Sequence, residues 1–204
     1  ITLTAGSLKL TEAGTLASSV SMSGGVLDAD KSSTLSGTLT QAGNITIDVA
    51  DDKTLTYSGA PINVGAYTLT MSGGGRFSNP NHLDLNNASS KLLLNSITVD
   101  NVSTTSDSLG LDVDNDSTVS SLSVAHITPV SIASGSSLSG GITVTAGSLK
   151  LTEAGELAST ISMSGGVLDA DNSSTLSGTL TQAGNITIDV ADDKTLTYSG
   201  APIN

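Results

Sequence analysis

The sequence has no cysteine, no tryptophan, one phenylalanine and three tyrosines in 204 residues. Without cysteine there is no disulfide framework and no thiolate metal site. With so few aromatics, an interior has to be built from Leu, Ile, Val and Ala, which suit a narrow, regular core. Basic residues are scarce as well: seven Lys and Arg against nineteen Asp and Glu leave a net charge of −12. Nucleic-acid affinity rests on cations that neutralise phosphates, so this balance argues against a nucleic-acid partner. The same balance argues against anionic membrane surfaces. There is no run of 18 apolar residues, so no transmembrane helix is predicted and no membrane insertion is expected. Helical periodicity is nowhere sustained, and the β-branched, glycine-rich composition opposes it.

What the sequence has in quantity is repetition. Residues 1–63 return as residues 142–204 at an offset of 141, and only five positions differ: Leu3/Val144, Thr15/Glu156, Ser19/Thr160, Val20/Ile161 and Lys31/Asn172. Near-identity over that length is the signature of a repeat array. The domain organisation expected is one continuous array over 1–204, with 1–141 a full repeat and 142–204 a partial second one.

A shorter period lies inside the long one. Leu8, Leu10 and Leu16 set a frame that recurs at Leu27/Ala29/Leu35, Ile47/Val49/Leu55, Leu69/Met71/Phe77, Leu111/Val113/Val119 and Val130/Ile132/Leu138, then closes on Leu149/Leu151/Leu157. The leading anchors are separated by 19, 20, 22, 42, 19 and 19 residues. If the step of 42 covers two coils, the 141-residue unit holds seven coils of about 20 residues. Each coil reads as two or three short alternating strands bounded by Gly, Ser, Asn and Asp turns. The fold class expected is all-β: a parallel β-helix (β-solenoid) with about seven coils per repeat. Inward residues should stack as Leu10 over Ala29 over Val49, and Leu16 over Leu35 over Leu55. A string of β-sandwich domains would also supply short strands, but it gives no reason for a constant coil length.

The stretch from Gly73 to Ser108 breaks the frame. It holds GGGRFSNPNHLDLNN, the apolar run Leu92–Leu94 and a strand-like Leu83/Leu85. A bulge or extruded loop is expected there.

Candidate chemistry is sparse. Asp112, Asp114 and Asp116 alternate in DVDNDS, which is similar to the start of a calcium loop, because a hard cation wants clustered carboxylate oxygens. The glycine and the distant glutamate of an EF-hand loop are missing, so solvated surface is the expected role. The same holds for Asp28 and Asp30 and for Asp48, Asp51 and Asp52. GGVLDAD resembles calcium-binding nonapeptides, yet it does not recur every nine residues and is excluded. Lys9 and Asp28, and their copies Lys150 and Asp169, occupy matching template positions and should pair between coils. His82 and His126 stand alone. Arg76 with Asn79, Asn81 and His82 is the most varied polar cluster and is read as a turn. Sequons lie at Asn44, Asn87, Asn101, Asn115, Asn172 and Asn185. No catalytic, cofactor-binding or metal site is assigned, and no enzymatic activity is expected.

The strings GSLKLTEAGTLAS, GVLDADKSSTLSGTL and NITIDVADDKTLTYSG resemble the β-helical repeats of bacterial surface proteins, namely autotransporter passengers and filamentous-haemagglutinin-like adhesins. The resemblance implies a secreted, extracellular or cell-surface fibre or giant adhesin forming a stiff rod. Its partners would be further repeats of the same chain, self-association into filaments or bundles, and a surface or glycan ligand elsewhere in the protein. It brings no catalytic residue and no cofactor. The alternatives are a carbohydrate-binding or polysaccharide-cleaving β-helix, which would need charged and aromatic residues lining a groove, and a phage tail-fibre segment. Joining Asn204 to Ile1 would skip 64–141, so the native chain is expected to continue in both directions.

Overall fold

The computed structural model describes residues 1–133 and 137–203. It is an all-β parallel solenoid of ten coils without a helix among the described residues. The first strand of each coil contributes to one ten-stranded sheet: Ser7–Leu10, Val26–Ala29, Ile45–Val49, Thr68–Ser72, Lys91–Asn95, Gly110–Asp114, Thr128–Ile132, Ser148–Leu151, Val167–Ala170 and Thr187–Val190. Seven of these precede Ser148, the copy of Ser7, so the unit holds seven coils as the spacing predicts. Adjacent strands lie ~4.8 Å apart, which gives a stack on the order of 43 Å tall.

Second and third strands close each coil. At the lower end they are separate pieces, such as Ser33–Leu35 and Leu39–Gln41. In the middle coils they merge into the long strands Thr98–Thr104, Thr118–Val124 and Ser137–Val144. The stretch from Gly73 to Ser108 is therefore not an extruded loop. Arg76–Ser78, Leu83–Leu85, Lys91–Asn95 and Thr98–Thr104 all take their places in the stack. Leu92 and Leu94 supply the anchors missing from the 42-residue step, with Leu92 stacked between Leu69 and Leu111.

Alternation decides what is inside. Ile45–Val49 reads buried, half-buried, buried, half-buried, buried, and the merged strands shift that phase by one residue at their bends, between Val99 and Val102 and between Val119 and Leu122. The column Leu10, Ala29, Val49 forms as expected. The second expected column forms only in its lower half: Leu16 pairs with Leu35, but Leu35 then lies under Tyr57, and Leu55 lies over Ser33. The reason is the Asp51–Asp52 turn, which places two more residues between Val49 and Leu55 than lie between their partners Ala29 and Ser33. Asp52 takes a φ of 58°, a left-handed conformation that a short polar side chain tolerates. Asn115 and Asp116, at 50° and 61°, do the same in the DVDNDS turn.

The first sheet shows a related slip. Leu69 sits over Ile45 rather than Ile47, and Val130 under Leu151 rather than Leu149. A shift of two residues preserves the inward face, whereas a shift of one would invert it. Followed upward, the column Ile45, Leu69, Leu92, Leu111, Val130, Leu151, Ala170 reaches Val190, four residues beyond Ile186, the copy of Ile45. The third-strand column Ile62, Leu83, Val102, Leu122, Ile142, Ile161, Leu180 shows no such drift.

The duplication lets the same residues be seen with and without a coil above them. Ile47 and Val49 are 0% exposed beneath the fourth coil, while their copies Ile188 and Val190 on the outer edge are 44% and 37% exposed. Local sequence is identical, so the neighbouring coil alone makes the difference. Replacing Ile47 with Ala should cost about 2–5 kcal/mol. Ile188→Ala should cost about 1 kcal/mol, because nearly half of that residue stays in solvent. Denaturant unfolding of the two variants followed by circular dichroism measures the contrast.

Candidate functional site

The outward residues of the first sheet carry the charges, and those charges join coils. Lys9 Nζ lies 2.7 Å from an Asp28 carboxylate oxygen and 3.6 Å from Asp30. Lys150 repeats the arrangement at 3.2 Å from Asp169 and 2.6 Å from Asp171. Lys91 reaches Asp112 at 2.8 Å, and Arg76 on the neighbouring face reaches Asp100 at 2.6 Å. In every case the cation sits on the lower coil and the carboxylate on the next one up. The Asp28 carboxylate, with help from Asp30, holds the Lys9 ammonium above its ordinary pKa; Asp171 leads the same effect on Lys150. Pairs this exposed are screened by solvent and add little stability.

The aspartates singled out in the sequence do not converge. Asp112 is taken by Lys91, Asp114 points outward one position along, and Asp116 lies in the left-handed turn. Asp28 and Asp48 share an outward column, with Asp48 accepting a hydrogen bond from Ser72 Oγ at 2.5 Å. Among the described residues, no three Asp, Glu or His side chains gather to hold a metal ion. His82 is exposed, and His126 Nδ1 stands 3.8 Å from Asp107. A small cavity of about 20 Å³ lined by Val130, Ile132, Leu151 and Leu157, with Glu153 and Glu156 at its side, has room for about one water.

The cluster around Arg76 comes apart in space. Arg76 faces solvent, whereas Asn79 is fully buried at the corner between second and third strands. The Asn79 amide donates to the carbonyls of Asn81 (2.9 Å) and Asn101 (2.7 Å), and its oxygen accepts from the backbone of Asp100 and Asn101. Asn81 donates to Gly59 O at 2.5 Å. Asparagine side chains here replace backbone partners that a bent chain cannot supply, which is what a buried polar corner requires. Of the sequon asparagines, Asn44, Asn101, Asn115 and Asn172 are likewise bonded to a neighbouring coil.

One element was not visible in the sequence. The lowest three third strands stop at Leu39–Gln41, and the next, Ile62–Asn63, pairs only with Leu83–Leu85. Tyr57 fills this break. Its ring is fully buried, with the Phe77 centroid 6.1 Å away and an interplanar angle of 18°. Its hydroxyl accepts from Leu39 N at 3.2 Å and donates to Ala60 O at 2.6 Å. Tyr198 repeats the bridge to Leu180 N and Ala201 O. The available signal was that two of only three tyrosines stand 141 residues apart.

No family model, no curated protein and no solved structure matches the chain.

Burial pushes the Tyr57 phenol above its ordinary pKa of about 10, against a smaller opposing effect from the Leu39 hydrogen bond. The folded protein therefore holds this proton more tightly than the unfolded chain does. The contribution is complete below pH ~10 and is lost as pH rises beyond it. Tyr57→Phe should cost about 1–3 kcal/mol at neutral pH by orphaning the Leu39 amide. It should also remove part of the alkaline destabilisation. Urea unfolding of both proteins between pH 8 and about 11.5 tests both effects.

Proposed function

We propose that this chain is a length of an extracellular or cell-surface rod: a structural segment of a fibre or large adhesin. The reading is carried by one observation, a 141-residue unit that recurs nearly unchanged and folds into seven coils of a continuous parallel stack. Such a stack grows by addition, since each coil contacts its neighbours alone. Its product is length. The absence of cysteine and the acidic surface suit secretion and solubility outside the cell.

No catalytic role is proposed. Lys9, Arg76, Lys91 and Lys150 are engaged in pairs between coils, and two of the four aromatics, Tyr57 and Phe77, are fully buried. That leaves little to stack on a sugar ring. The partners proposed are other lengths of the same repeat, with neither nucleic acid nor membrane among them.

Chains carrying one, two and three 141-residue units should lengthen by on the order of 34 Å per unit at constant thickness, which is seven layers of ~4.8 Å. Small-angle scattering gives both dimensions. Particles that thicken or stay compact as units are added would overturn the rod.

A further inference from the structure

The duplication shows one coil twice, once covered and once open. In the covered copy, strand Thr68–Ser72 lies on Ile45–Val49 with Leu69 over Ile45 and Met71 over Ile47. Three side chains of the lower coil reach up to it. Asn44 Oδ1 accepts from Thr68 N at 2.9 Å, Gln41 Nε2 donates to Thr68 O at 3.0 Å, and Asp48 accepts from Ser72 Oγ at 2.5 Å. These bonds bracket the strand at both ends and fix its register.

In the open copy, strand Thr187–Val190 pairs with Val167–Ala170 beneath it and forms the outer edge of the sheet. Every receiving residue is present: Gln182, Asn185, Ile186, Ile188, Asp189 and Val190. The Gln182 amide holds Gly184 O at 2.8 Å, as Gln41 holds Gly43 O at 3.0 Å. Tyr198 already bridges to Leu180, as Tyr57 does to Leu39. Of the gripping side chains, Gln182 is therefore held in place before an incoming strand arrives.

We propose that this edge is a sequence-specific acceptor for one occupant, a parallel coil with the sequence of residues 64–85. It docks with its Leu69 equivalent over Ile186 and its Met71 equivalent over Ile188. An edge strand alone would pair with almost any extended chain. Here a strand displaced by two residues keeps its inward face but loses the Thr68 and Ser72 contacts, so register is selected by polar side chains. The proposal rests on the rod reading and adds the rule by which the rod propagates.

The absence of cysteine permits a clean test. Val190→Cys and Val49→Cys are made singly in the 204-residue chain and in the same chain extended after Asn204 by residues 64–141. In the unextended chain the thiol at 190 should react quickly with a maleimide and the thiol at 49 slowly. The matched extension should slow labelling at 190 by about 100-fold or more, towards the rate at 49, because access then requires local opening. A second extension begins instead with residues 1–22, a coil of mismatched sequence, and should protect position 190 far less. Continued fast labelling at 190, with position 49 still protected, would overturn the proposal. So would equal protection by both extensions, which would indicate unselective edge pairing. Scattering from the same samples reports the rod separately: an elongated particle with an open thiol refutes the acceptor alone, and a compact one refutes the rod.

Discussion

Everything in this molecule depends on one coil covering the next. A strand of three to five residues cannot hold itself together, and a 20-residue loop of chain has no interior of its own. Both acquire one when a parallel copy is laid on top, where aliphatic side chains meet in columns and backbone groups pair at every layer. Ile47 and Ile188 measure that dependence directly, with the same residue buried in one copy and nearly half exposed in the other. Small branched side chains follow from it, because each column position must accept its neighbour above and below at a fixed spacing. The Tyr57 ring is admitted at a break between third strands, and Phe77 packs beside it within the column from Leu55 to Val99.

The corners are where this economy is under strain, and polar side chains resolve it. A column needs only the right size of apolar residue, but a bend in the chain leaves N–H and C=O groups without ladder partners. Asn79 satisfies both strands of a corner by itself, Asn81 ties a turn to Gly59, and the Tyr57 hydroxyl closes the gap above Leu39. The external Lys–Asp pairs act differently. They add little energy, and each Lys9-type cation meets the carboxylates of the coil above it while Asp28 lies directly beneath Asp48.

The coil period, the parallel stack and the Lys9–Asp28 pair were legible in the sequence because each depends on alternation or on simple counting. The phase of the columns was not. Alternation has a period of two, so a slip of two residues leaves every inward residue apolar and the pattern unchanged; Leu55 and Tyr57 fit the same slot equally well on paper. The stretch from Gly73 to Ser108 read as irregular for a related reason: the coil starting at Thr68 is long, and in the next one the second and third strands merge into Thr98–Thr104, which hides the frame without removing the coil. The Asn79 corner and the Tyr57 bridge escaped notice because their partners lie about 20 residues away and are mostly backbone atoms, which leave no trace in side-chain composition.

The four-residue drift of the first sheet has a mechanical consequence. Leu10, Ala29 and Val49 form a column that ends where the chain turns at Gly73, a φ of 110° position whose Cβ would fall within 2.3 Å of the Val49 carbonyl. Another column starts at Thr128 and rises through Leu149 and Leu168 to Ile188. Columns thus begin and end at staggered heights, like courses of brick or the plies of a rope. Tension along such a body passes sideways from ply to ply, and a flaw in one ply is bridged by those overlapping it before it can run the length of the sheet.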